Sequence, residues 1–301
     1  MNERGAQLRG WLFVLPALVL LAAYLVYPTI ETFRVSLFGG TGFNPTRFVG
    51  LRNYGQLLAH DSLFLSLRWP PSGALVNNVL WLVLFAGGTV VFGLLIAVLA
   101  NEMRLERITK SAVFLPMVIS STAAAVIARF LFSSDTSIGV LNALFKAIIP
   151  GFTPISWLGS GEVVNYAIIA TGVWIWTGLS MTVLSAAYKS LDPAVLEAAR
   201  VDGANPWMAF WRISIPMLAQ PITFVAITMI INSLKMVDLV LVMTAGGPAG
   251  ASRVIGFSFY WEVFNNNLVG YGSAVAILLL IPLAPLMVVQ VRRIRRQEAG
   301  R

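Results

Sequence analysis

The chain has 301 residues, of which 57% are hydrophobic and only 11% charged, with a mean hydropathy of +0.79. A soluble domain of this length needs far more charge to cover its surface, so the solvent of this chain is the bilayer. The net charge of +8 is spread in short basic runs between apolar stretches, which argues against a nucleic-acid partner, and the absence of cysteine excludes disulfides, zinc–thiolate sites and a cysteine nucleophile.

A hydrocarbon core of about 30 Å requires roughly 20 apolar residues per crossing helix. Six segments meet that demand: Trp11 to Ile30, Leu75 to Ala100, Ser111 to Phe132, Val163 to Tyr188, Ile213 to Met243 and Gly272 to Val291. The first, preceded by Arg4 and Arg9, is longer than the core of a signal peptide and contains Pro16, so it is expected as an uncleaved helix. The fifth exceeds the length of one straight span and is expected to tilt or break near Pro216 or Pro221. The fold class is therefore all-α, a polytopic membrane protein of about six transmembrane helices. With no 20–50-residue repeat and no low-complexity linker, residues 1–301 read as a single transmembrane domain.

Orientation follows from lysine and arginine. Placing both termini in the cytoplasm puts Arg4, Arg9, Arg104, Arg107, Lys110, Lys189, Arg200, Arg212 and the terminal cluster Arg292, Arg293, Arg295, Arg296 and Arg301 inside. The longer outer segments then hold fewer basic residues, Arg34, Arg47, Arg52, Arg68, Arg129, Lys146, Lys235 and Arg253. The outer connection from Glu31 to Ala74 carries Gly, Pro and Asn turn signals and either packs on a soluble partner or covers helix ends.

Between the fourth and fifth segments, Leu191 to Pro216 reads LDPAVLEAARVDGANPWMAFWRISIP. Asp192 before Pro193 and Asn205 before Pro206 each offer a capping oxygen followed by a residue preset for the first helical turn. Gly203 falls between them, where the first helix needs a residue tolerant of positive φ. Two short helices joined by a sharp turn are expected, the first with small alanines that admit close approach, the second with an apolar stripe of Trp207, Phe210 and Trp211.

The residues Glu197, Ala198, Ala199, Gly203, Ile213 and Pro216 match E-A-A-x3-G-x9-I-x-L-P, with Ile215 in place of the usual Leu. This pattern resembles the signature of binding-protein-dependent ABC transporter permeases. The stretches LFVLPALVLLAAYLVYP, Thr244 to Pro248 and GYGSAVAILLLI are similar to the first permease subunit of the carbohydrate-importer branch, the maltose type, and NNVLWLVLF, VFLPMVIS and VWIWTGLSM look closest to alpha-glucoside permeases. The resemblance implies an ABC importer type I permease core in the cell (inner) membrane, with residues 192–216 as the coupling loop. It also implies that Glu197, Ala198, Ala199, Asp202 and Gly203 couple to an ATPase subunit, Glu197 by a polar contact and Gly203 by the turn.

The partners it implies are a second homologous permease, expected to differ from this chain, two ATP-binding cassette ATPase subunits and an extracytoplasmic sugar-binding protein. Aligned on the loop and the Gly-Gly-Pro segment, the likeness places sugar-contacting positions at or near Trp176, Leu179, Ser180, Met229, Asn232, Ser233 and Met236, of which Trp176, Ser180, Asn232, Ser233 and Met236 are carried as the substrate pathway. Independently, Asn232, Ser233, Lys235 and Asp238 are polar groups inside an apolar segment, where they either mark a pathway or are neutralised between helices; Lys235 and Asp238 are spaced to pair on one face.

No G-x-x-x-x-G-K-[ST] phosphate loop occurs, so ATP and Mg²⁺ are expected on partner subunits and no cofactor in this chain. Neither H-E-x-x-H nor G-x-S-x-G occurs and the one histidine, His60, lies in an outer loop, so no catalytic or metal-ligating residue is expected. The expected function is the permease subunit of an ATP-driven importer of an alpha-glucoside or related di- or oligosaccharide. The alternative is a secondary transporter or channel for small polar solutes, which lacks support from inverted repeats and has no use for the loop.

Overall fold

A computed structural model describes residues 3–42, 45–67, 72–101 and 103–299, with side chains from Leu12 to Arg292 within that set. The terminal charges used for orientation, Arg4, Arg9, Arg293, Arg295, Arg296 and Arg301, and Arg68 of the outer set, lie outside the described side chains. Among the described residues the fold is helical apart from an antiparallel ladder of two residues per strand, β1 (Phe38–Gly39) and β2 (Arg47–Phe48).

Among the described residues four helices are long and apolar enough to cross a membrane alone, and up to six if each of two bent pairs counts as one span. The first, α1, runs through Glu3–Leu21, a π-helical turn at Ala22–Val26 and Tyr27–Ser36. After α2 (Arg52–Ala59) come α3 (Ala74–Asn101) and the pair α4 (Glu106–Val118) and α5 (Ser121–Leu131). Then follow α6 (Val140–Ile148), α7 (Val164–Lys189), α8 (Pro193–Val201) and the second pair, α9 (Pro206–Met217) and α10 (Ala219–Lys235). The chain ends with α11 (Asp238–Thr244), α12 (Ile255–Phe264) and α13 (Val269–Ala299).

Two of the expected spans are not straight. The segment Ser111 to Phe132 bends by 102° between α4 and α5. Ile119 takes an extended conformation and the Ser120 hydroxyl accepts from the Ala123 amide at 3.2 Å, so a serine inside an apolar run caps a new helix where hydropathy reads one span. The segment Ile213 to Met243 is three pieces: α9 turns by 69° into α10 at Leu218, between the two prolines at which a break was predicted, and α10 ends at Lys235 before α11 begins at Asp238.

The chain divides into two units, residues 1–61 with 258–281 and residues 62–257 with 282–301. In the first, α1 is unburied along its apolar window, and its end is tied by polar contacts. The Ser36 hydroxyl shares a 2.6 Å hydrogen bond with the Tyr54 hydroxyl, Asn53 Nδ2 donates to the Ser36 and Phe38 carbonyls at 2.8 and 2.9 Å, and the Tyr271 hydroxyl donates to Asp61 at 2.8 Å.

The second unit is centred on α7, whose most apolar window is 61% buried. Its threonines Thr171, Thr177 and Thr182 each donate to the carbonyl four residues earlier, at 3.0, 2.6 and 2.8 Å, which satisfies a hydroxyl where water is scarce. The helix packs closely on α3 through Gly93, where an added Cβ would lie 2.5 Å from Ser180 Cβ. Trp81, Phe85, Ile168, Met181, Leu184 and Met229 fill this core.

The segment between α5 and α7 is organised by Asn142, which is fully buried on α6. Its Nδ2 donates to the Ser133 and Ile155 carbonyls, both at 2.9 Å, while its Oδ1 accepts from the Ile155 amide at 3.0 Å and Trp157 Nε1 at 3.2 Å. Asn142→Leu strands these groups, each at a cost of about 1–3 kcal/mol. We expect limited proteolysis between residues 133 and 162 to accelerate by at least tenfold while the rest of the chain stays resistant; equal cleavage of both proteins would refute this role.

Candidate functional site

The segment Asp192 to Pro216 folds as its capping residues require. Asp192 has extended backbone angles and its Oδ1 accepts from the Ala194 amide at 2.9 Å, with Pro193 opening α8. The helix closes through Asp202 N donating to the Ala198 carbonyl and Ala204 N to the Ala199 carbonyl, both at 2.9 Å, and Gly203 turns the chain at φ +84°. Asn205 Oδ1 then accepts from the Met208 amide at 2.7 Å to start α9, which passes through a π-helical turn at Phe210–Ser214.

Of the residues singled out in the sequence, Ala198, Ala199, Asp202 and Gly203 come together around an open hollow of about 750 Å³, completed by Ala194, Val195, Ala204, Met208 and Ile213. Glu197 is exposed on α8 but does not line the hollow. Asp202 is the one charged residue of the lining. A helix of alanines with an open face admits another polypeptide to backbone distance, and the exposed Glu197 carboxylate stands ready to accept hydrogen bonds from it.

A polar cluster beside this loop was not read from the sequence. Lys110 Nζ donates to Asn101 Oδ1 at 2.5 Å and also bonds Glu106 and Ser185, while Lys189 pairs with Glu106 at 2.5 Å and the Ser185 hydroxyl donates to Asn101 at 3.0 Å. These contacts join the end of α3, the start of α4 and the last turn of α7, three residues before Asp192. The signal was present: Glu106 and Lys110 are four apart on one helix, the favoured order for an ion pair.

The expected pathway residues lie on α7 and α10 and just beyond. Ser180 is fully buried against Gly93, and its hydroxyl has no partner. Trp176 is partly exposed, yet its indole Nε1 is enclosed without a partner. The Ser233 hydroxyl is consumed by the Ile230 carbonyl at 2.7 Å, Asn232 is partly exposed, and Met236 is buried in the break after α10. Lys235 and Asp238 do not pair. The helix stops between them, Met236 adopting φ −74°, ψ 93°, and both side chains are exposed.

The sequence reading also missed an amide clasp. Asn77 Nδ2 donates to the Ala251 and Arg253 carbonyls, both at 2.7 Å. Asn165 Nδ2 donates to Asn77 Oδ1 at 3.1 Å and the Ala251 carbonyl at 2.9 Å, and Asn78 Oδ1 accepts from the Ile255 amide at 2.7 Å. Three asparagines at the starts of α3 and α7 thus hold the segment that follows Gly247 and Pro248. Amides within the apolar segments that begin at Leu75 and Val163 were the available signal.

Residues 89–297 match the family model described as binding-protein-dependent transport system inner membrane component. The chain is 42% identical to the osmoprotective compounds uptake permease protein GgtC of Synechocystis sp., over 95% of this chain and 99% of that one. It is 35% identical to the alpha-glucoside transport system permease protein AglF of Rhizobium meliloti, over 97% and 84%. A chain of a bacterial ABC transporter involved in import of the acidic polysaccharide alginate shares the fold, with a TM-score of 0.77, 21% identity and coverage of 97% and 99%.

Proposed function

The chain belongs to the binding-protein-dependent transport system inner membrane components, and on that footing we propose that it forms half of the translocation pathway of an ATP-driven carbohydrate importer, with an alpha-glucoside or related sugar as substrate. Its partners in this reading are a second, non-identical permease, two ATPase subunits that bind ATP and Mg²⁺, and an extracytoplasmic sugar-binding protein. Both termini and the Asp192–Pro216 loop face the cytoplasm, and the whole chain acts as one permease domain.

The observation that carries the proposal is the loop itself: α8 presents Glu197 and Ala198 to solvent beside an open hollow, with the helix fixed at both ends by hydrogen-bonded caps. In this reading Glu197, Ala198, Ala199, Asp202 and Gly203 engage a cleft of the ATPase subunit. Closure of the ATPases on nucleotide draws the two permease loops together and rocks the transmembrane helices between two access states. Glu197 supplies the polar anchor, and the alanines set the distance of approach.

The absence of native cysteine makes a direct test possible. Ala198→Cys is expected to cross-link to a cysteine in the ATPase cleft in the assembled complex, with a yield that changes between nucleotide-free and nucleotide-bound states. An assembled complex that never cross-links from Ala198, while a cysteine elsewhere on its cytoplasmic side does, would place the docking surface elsewhere.

For the pathway we assign Trp176, Ser180, Asn232, Ser233 and Met236 to the route followed by sugar, the indole face to the apolar side of a ring and the amide to hydroxyls. Asn232→Leu is expected to reduce sugar-stimulated uptake about tenfold, the effect of losing one hydrogen bond of about 1.4 kcal/mol. Basal ATP hydrolysis should remain. Unchanged uptake in this variant would remove Asn232 from the route.

A further inference from the structure

The helix that carries Glu197 forms a wall of a second groove, of about 320 Å³, distinct from the open hollow. One side is the last two turns of α3, through Leu95, Val98 and Leu99. That helix is among those apolar and long enough to cross the membrane, and this wall is part of its apolar run. Leu95 and Leu99 are 45% and 62% exposed, so the groove is open along this apolar wall.

The facing wall comes from α8 and α9, through Leu196, Arg200, Trp207 and Phe210. Trp207 is 72% exposed, and its ring meets that of Trp211 edge to face at 5.6 Å, the kind of aromatic pair that settles at headgroup level. Arg200 is the only charged residue lining the groove, and it has no carboxylate partner among the described residues. The open hollow has Asp202 as its only charge. The short helix therefore turns a cation to the apolar groove and an acid to the other side.

We propose that this groove binds one anionic phospholipid of the adjacent leaflet. An acyl chain lies along Leu95, Leu99 and Phe210, and the headgroup phosphate accepts hydrogen bonds from the Arg200 guanidinium, whose planar fork suits phosphate oxygens. Lipid is favoured over a protein occupant because one wall belongs to a spanning helix and is apolar throughout. The bound lipid spans the gap between α3 and α8, so the coupling loop is braced by the membrane as well as by its own caps. The site is independent of whether the loop engages an ATPase.

The test uses the full chain in vesicles, with a bimane fluorophore on Leu99→Cys as the only thiol. Phosphatidylglycerol with brominated chains is expected to quench the label at about one-fifth the mole fraction that brominated phosphatidylcholine requires. Arg200→Gln should abolish this preference and Arg200→Lys retain part of it. A label on Phe92→Cys, exposed two turns earlier on α3, should show no preference. Equal quenching by the two lipids at Leu99, or a preference that survives Arg200→Gln, would overturn the proposal. Loss of quenching when the ATPase subunits assemble would also overturn it and assign the groove to that protein. Because binding is read without ATP or sugar, a negative result leaves the transport reading standing, and a failure of transport leaves this result interpretable.

Discussion

Gly203→Pro is expected to abolish ATP-driven uptake while the protein still inserts in the membrane. At φ +84° the glycine occupies a backbone region that proline, locked near −65°, cannot enter, and its amide donates to the Arg200 carbonyl at 3.1 Å, a bond proline cannot make. An added Cβ would meet nothing within 4 Å, so the effect is one of backbone conformation and not of crowding. Gly203→Ala should then cost only about 1–2 kcal/mol and leave partial uptake, and Gly203→Asn should do better still, because asparagine tolerates the left-handed region. The measurement is uptake beside ATP hydrolysis in the same vesicles. An asparagine variant as inactive as the proline variant would show that the turn conformation is not what the loop needs.

Gly93→Val should prevent the second unit from packing. The first added carbon would lie 2.5 Å from Ser180 Cβ and 3.0 Å from the Met181 backbone nitrogen, and the backbone atom cannot move without displacing α7. Overpacking of this kind costs typically about 1–3 kcal/mol, and more where a helix backbone blocks relaxation. The expected result is a large loss of monodisperse protein after detergent extraction. Gly87→Ala, six residues earlier on the same helix and with open space at the Cβ, should extract normally. Normal extraction of Gly93→Val would mean that α3 and α7 do not meet as described.

What the sequence revealed and what it hid follow from the physics of each signal. Apolar length is summed over twenty residues, so the spans α1, α3, α7 and α13 were legible, and the caps at Asp192 and Asn205 were legible because each is a local pairing of an oxygen with the next few amides. Breaks are set by single residues whose effect hydropathy averages away. Ser120 is neutral on that scale, yet its hydroxyl starts a helix running at 102° to the one before. The pairing of Lys235 with Asp238 assumed a helix that continues, and the chain leaves the helix between them.

The polar clusters were hidden for a different reason. Asn77 and Asn165 are 88 residues apart, and Lys110 and Ser185 are 75 apart, so their partners exist only once α3, α4 and α7 have packed. An amide in an apolar run announces that it needs a partner but not which one. The exposed loop, whose residues bond mainly to near neighbours, was therefore read more fully than the buried interior.

The most direct test of the central claim is uptake of a radiolabelled alpha-glucoside into proteoliposomes that contain this chain, its partner permease, the ATPase subunits and the sugar-binding protein. The account predicts accumulation that requires both ATP and the binding protein and that disappears when the ATPase subunits are omitted. Uptake that runs to equilibrium without ATP or ATPase subunits, and that is unaffected by Glu197→Ala, would contradict it and identify the chain as a passive route.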